Sequence, residues 1–195
     1  MTSTPSVIVL AGPNGAGKST AAPWLLRDLL GVGEFVNADV IASGLSAFEP
    51  ELAANAAGRI MLSRLNELGK RRTSFAFETT LASRSFAPRI AALQQLGYEF
   101  HLLFIWLPNA EMAVARVADR VRSGGHNVPE ETIRRRYQSG LSNFFKLYRP
   151  MATTWQFYDC SDQSGPMRIA SAKGDSTHRV KNTQLWERLE ARYQP

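Results

Sequence analysis

An uninterrupted apolar run, Val7-Ile8-Val9-Leu10-Ala11, passes without a spacer into Gly12-Pro13-Asn14-Gly15-Ala16-Gly17-Lys18-Ser19-Thr20. The run suits a central parallel strand covered on both faces. The loop completes the G-x-x-x-x-G-K-[ST] pattern between that strand and a helix expected from about Ser19 to Leu30. Glycines in such a loop let backbone N–H groups wrap phosphates with no Cβ in the way, and the helix N-terminus adds its dipole. Gly12 to Thr20 are therefore candidate ATP-binding residues. Lys18 would reach the β- and γ-phosphates, and the Ser19 hydroxyl would bind Mg²⁺.

The remaining pattern extends this start into an alternating α/β chain. Further strands are expected at Glu34–Ala38, at Ser74–Phe77, at Phe100–Leu107 and at Trp155–Tyr158. Helices are expected at about Glu51–Lys70, from Pro88 to Leu96, from Ala110 to Arg122 with Asn109 as its cap, and from Pro129 onward. Right-handed crossovers between such elements give a P-loop NTPase fold, a three-layer α/β/α sandwich with a mainly parallel five-stranded sheet. A hairpin around Gly174-Asp175 and a helix at Thr183–Tyr193 would close the chain. At 195 residues, 44% apolar and 21% charged, one folded domain is expected. No apolar stretch approaches the roughly 18–20 residues of a bilayer span. A single cysteine, Cys160, cannot form an internal disulfide. A cytoplasmic location is the expectation that follows.

A phosphate loop identifies nucleotide binding, and the reaction must be read from other residues. The guanine-reading Asn/Thr-Lys-x-Asp pattern is absent, which argues against a GTPase. Arg122-Ser123-Gly124-Gly125-His126 superficially matches the signature of transporter ATPases. Phe157-Tyr158-Asp159-Cys160 lacks the glutamate those enzymes use on water.

In open α/β sheets ligands collect at the carboxyl ends of strands, where Asp39 and Glu78 fall. Asp39 is the general-base candidate for an attacking hydroxyl; the same side chain could equally cap the following turn or helix. Glu78, with Thr79 and Thr80, could hold acceptor hydroxyls or a Mg²⁺-bound water, or serve as a cap. Arg84 could pair with an acceptor phosphate, although plain surface exposure is the simpler reading. Arg116, Arg120, Arg122, Arg134, Arg135 and Arg136 flank Gly124-Gly125 and read as a helical lid over residues 116–136. At most one or two of them can face the phosphates, and solvation or pairing with Asp119, Glu130 and Glu131 is the preferred reading for Arg116, Arg134 and Arg135. His126 in the lid is ambiguous. The net charge of +6 admits nucleic acid as a partner, but no aromatic residue lies between Arg116 and Arg136 to stack bases.

Taken in order, Gly-Pro-Asn-Gly-Ala-Gly-Lys-Ser-Thr, Asn37-Ala38-Asp39, Phe77-Glu78-Thr79-Thr80-Leu81 with Ser83-Arg84, and Gly124-Gly125-His126-Asn127-Val128-Pro129 with Arg135-Arg136-Tyr137 resemble the zeta-toxin-like P-loop kinases over residues 6–160, particularly their small stand-alone branch. The resemblance implies that Asp39 is the base, that Glu78 contacts the acceptor and that Arg120 contacts the phosphates. It also implies an acceptor of the UDP-N-acetyl amino sugar class. One departure is visible: the family's second lid arginine is missing before Pro129, with His126 nearest its place, so that either Arg136 or a neighbour substitutes from the next helix or the site differs. Toxicity and an antitoxin partner do not follow from the chain. The rival readings are a regulatory or mechanical ATPase and a nucleic-acid kinase or binder.

Overall fold

A computed structural model describes residues 4–28, 30–162, 165–173 and 176–193. The apolar run becomes β1 (Ser6–Ala11), and from Val7 to Ala11 it is buried on both faces. Such a strand must be the middle of a covered sheet. It pairs in parallel with β3 (Phe75–Thr79) on one side and β4 (Glu99–Trp106) on the other. Beyond these lie β2 (Phe35–Val36), parallel to β3, and β5 (Thr154–Asp159), parallel to β4. The sheet does not stop at five strands. The C-terminal hairpin, β6 (Met167–Lys173) and β7 (Ser176–Val180), adds to the free edge of β5 in antiparallel fashion and gives seven strands in the order β2-β3-β1-β4-β5-β6-β7. A hairpin needs no crossover helix, so it can extend a parallel sheet at its margin. Its turn at 174–175 lies outside the described residues.

The helices follow the expected alternation with altered ends. Helix α1 covers only Lys18–Ala22 and continues in wider π-type turns over Pro23–Asp28. Pro23 has no N–H to complete the regular ladder, which accounts for the change of pitch. Helix α2 (Ala38–Leu45) is an element that the sequence reading did not separate from its neighbours. Helices α3 (Ala54–Lys70) and α4 (Ala87–Gln95) follow. The lid helices are α5 (Ala110–Arg122), capped by the Asn109 side chain 2.8 Å from the Met112 N–H, and α6 (Glu130–Asn143). From α6 the chain runs through wide turns at Phe144–Tyr148 into the short α7 (Arg149–Met151). Helix α8 (Thr183–Tyr193) has the expected bounds. It is anchored by aromatic packing, with Trp186 stacked 5.2 Å from Trp155 and edge-on to Phe157.

The register positions the site. Leu10 aligns with Glu78 and Ala11 with Thr79, so the end of β3 stands beside the residue that opens the phosphate loop. No helix among the described residues is long and apolar enough to cross a membrane.

Candidate active site

The phosphate loop is shaped by positions only glycine can fill. A Cβ on Gly12 would lie 2.1 Å from the Ile105 carbonyl oxygen of β4, and Gly17 (φ 83°) turns the chain into α1 in a conformation costly for other residues. This concave backbone is a fitting cradle for a nucleotide triphosphate. Lys18 follows as a buried ammonium: its Nζ donates to the Pro13 carbonyl at 3.0 Å and lies 3.5 Å from Glu78 Oε1. Burial pushes the Lys18 pKa below the ordinary lysine range. Glu78 and Asp39 pull it back up, while Arg120 adds to the lowering.

Glu78 joins three parts of the site. Its Oε2 accepts from the Ser19 hydroxyl at 2.9 Å and from the Asn37 amide at 2.8 Å, while Oε1 faces Lys18. It therefore stands with the phosphate-binding residues. Asn37 is the hinge between the two halves, because its Oδ1 also accepts from the backbone N–H groups of Asp39 (2.8 Å) and Val40 (3.3 Å) and caps α2.

The structure corrects one sequence expectation. Asp39 does not close β2, which ends at Val36; it sits in the first turn of α2. Asn37 performs the capping, so the Asp39 side chain is not needed for it. Asp39 instead lines a cavity of about 290 Å³ shared with Asn14, Lys18, Glu78, Thr80 and Arg136. Arg136 lines the same cavity; burial pushes its pKa down and the Asp39 carboxylate opposes that shift. Thr79 also lines this cavity, while its hydroxyl accepts the Leu81 N–H at 3.1 Å and shapes the turn leaving β3. Leu81, at φ 60°, needs that support.

Two proposed site residues stand elsewhere. Arg84 is exposed, and its Nε donates to Asn143 at 3.3 Å. His126 does not line the cavity at Asp39; its Nδ1 lies 2.8 Å from Glu51 Oε1. Arg120 is near enough to Lys18 to depress its pKa, and its Nη2 donates to the His126 carbonyl at 2.7 Å. Its buried Nε has no protein partner. The other lid arginines do not form a continuous basic face. Arg134 bridges Glu111 (2.7 Å) and Glu130 (2.8 Å), and Arg122 pairs with Asp119.

A second cavity, about 500 Å³, opens on the opposite side of the phosphate loop, against Gly17, Thr20, Trp24, Arg116 and Cys160. Arg116 is held there by its Nη2, which donates to the Ser161 carbonyl at 2.9 Å. Sequence reading assigns Gly17 and Thr20 to ATP binding but does not connect Trp24, Arg116 or Cys160 with them. The residues of this wall come from α1, α5 and the segment after β5, and Trp24 carries no motif. The only available signal was that Arg116 lies one turn from Arg120 on α5.

The AAA domain profile matches residues 7–140. The chain belongs to the AAA domain family. This AAA domain is also 32% identical, over 130 residues, to an uncharacterized protein of Haemophilus influenzae; the alignment covers 67% of the chain and 91% of that relative. Among solved structures, it resembles AvrRxo1-ORF1:-ORF2 with ATP, at a TM-score of 0.72 and 18% identity over 95% of the chain. The chain spans 63% of the length of that protein. The PezAT chromosomal toxin–antitoxin system of Streptococcus pneumoniae matches with a TM-score of 0.69 and 18% identity, over 90% of this chain and 75% of the other chain. These likenesses show a shared α/β fold and agree with the zeta-toxin-like resemblance of the motifs.

Proposed function

We propose that the protein is an ATP-dependent phosphotransferase that moves the γ-phosphoryl group to a hydroxyl of a small acceptor. The observation that carries this reading is a single cavity bordered by the phosphate-loop lysine, Lys18, and by a carboxylate that is not used as a helix cap, Asp39. Asp39 accepts the hydroxyl proton as the acceptor oxygen attacks in line, and Arg136 opposite it holds the acceptor against the carboxylate. Lys18 and Arg120 offset the negative charge on the transferring group. The Ser19 hydroxyl beside Glu78 suits Mg²⁺, which when bound neutralises charge on the phosphate oxygens. Trp24 and Arg116 bound the cavity that suits the nucleotide base.

The acceptor we favour is a UDP-N-acetyl amino sugar or a related metabolite. Its reacting sugar would occupy the cavity at Asp39. The remainder would extend toward an adjoining groove of about 600 Å³ between α3 and α4, which shares Ser85 and Phe86 with that cavity and carries Lys70 and Arg89 on its walls. The test is incubation with Mg·ATP and a panel of UDP-sugars, free sugars, nucleosides and oligonucleotides, with products read by mass spectrometry. A phosphorylated small molecule supports the proposal. ATP hydrolysis with no phosphorylated product from any acceptor overturns it in favour of a regulatory ATPase.

A further inference from the structure

Two segments from distant parts of the chain meet near the candidate site. One is the stretch from α2 into α3, which contributes Asp39 at its start and Gly58, Met61 and Leu62 to the cavity wall. The other is the lid loop between α5 and α6. They meet at Glu51, in the turn before α3: its Oε1 lies 2.8 Å from His126 Nδ1 and accepts the Asn127 N–H at 3.4 Å. The contact continues inward, because the His126 carbonyl accepts from Arg120 Nη2 at 2.7 Å. The loop also lies directly on the stem of that arginine. A Cβ on Gly125 would come within 2.5 Å of Arg120 Cγ, and the Gly125 N–H donates to the Arg120 carbonyl. A shift of the lid loop therefore carries Arg120 with it.

We infer that Glu51 and His126 form a latch that ties the lid to the acceptor-side wall and sets the position of Arg120 relative to the phosphates. Neither residue lines the acceptor cavity or the base-side cavity, so both are positioning residues. The His126 ring reaches across from the lid loop to the segment that leads into α3. The consequence for rate rests on the phosphotransferase reading, whereas the latch itself does not.

Hydrogen exchange of residues 123–129, with and without a non-hydrolysable ATP analogue, tests the latch in the full chain. Glu51→Ala should accelerate exchange at the Asn127 amide about tenfold, the scale of one charge-assisted hydrogen bond. It should lower the rate of phosphoryl transfer by a similar factor, while the affinity for the analogue changes by less than about threefold. Glu51→Gln keeps an acceptor oxygen and should restore most of both. The double variant Glu51→Ala/His126→Ala should be no worse than either single one, since both break the same link. Unchanged exchange in Glu51→Ala, or effects that simply add in the double variant, overturns the latch. If no acceptor is ever phosphorylated, the exchange result still decides the latch. If the latch fails, turnover by the unaltered protein still decides the phosphotransferase reading.

Discussion

The two halves of the cavity around Lys18 are built in opposite ways. The phosphate side is one contiguous loop whose shape is set by backbone, with Gly12 pressed against the β4 carbonyl at Ile105 and Gly17 opening α1. The acceptor side is assembled from side chains on separate elements: Asp39 on α2, Thr79 and Thr80 at the end of β3, Arg136 on α6. A backbone cradle recognises what every nucleoside triphosphate shares, so it can be written as a short motif. On the proposed function an assembled wall would select one acceptor, and each of its members can change without disturbing the loop. Glu78 is the exception that joins them, because it touches Lys18, Ser19 and Asn37 together.

The contrast predicts separable losses. The largest is expected for Asp39→Asn, which removes the proposed base and leaves the cradle intact. Phosphoryl transfer should fall by about 10²- to 10⁴-fold, with ATP-analogue affinity by calorimetry within a few fold. Near-normal single-turnover rates would remove Asp39 from the base role and dissolve the division between the halves. A smaller effect of the opposite kind is expected for Trp24→Ala, on the base side. Loss of a stacking surface worth about 1–3 kcal/mol should weaken ATP binding about tenfold or more. Turnover at saturating ATP should stay nearly unchanged. Equal falls in affinity and maximal rate would show that this wall also shapes the phosphate side. The smallest effect is expected for Arg84→Ala. Arg84 is exposed and directed to Asn143, so the acceptor KM should change less than about threefold, as for other surface substitutions. A tenfold rise in KM would bring Arg84 back to the acceptor wall and enlarge the assembled half.

Much of the architecture could be read before any coordinates, for identifiable reasons. The central strand, the phosphate loop, the Asn109 cap and the bounds of α8 are local features, fixed by residues near one another in sequence. The ends of β2 and the identity of α2 were harder to read. Asn37 can end a strand or cap a helix, and only the Glu78 carboxylate beside it shows why it caps while its amide points back. The hairpin strands were visible as strands. Their addition to the parallel sheet was not, because an antiparallel edge pairs with whatever edge the fold leaves open. The partners of Arg116 and His126 could not be read locally for a common reason: Ser161 lies 45 residues from the first and Glu51 75 residues from the second.

The sequence by itself determined that this chain binds a nucleotide's phosphates, since the glycines, Lys18 and Ser19 act through conformations and contacts their immediate neighbours dictate. It also determined which carboxylates and arginines were available for chemistry. Only the tertiary structure decided their use. It brought Glu78 against Lys18, Ser19 and Asn37, freed Asp39 from capping, placed Arg136 in the same cavity, left Arg84 exposed and paired His126 with Glu51. Those outcomes depend on strand register and helix packing, which bring together residues that no short stretch of chain can relate.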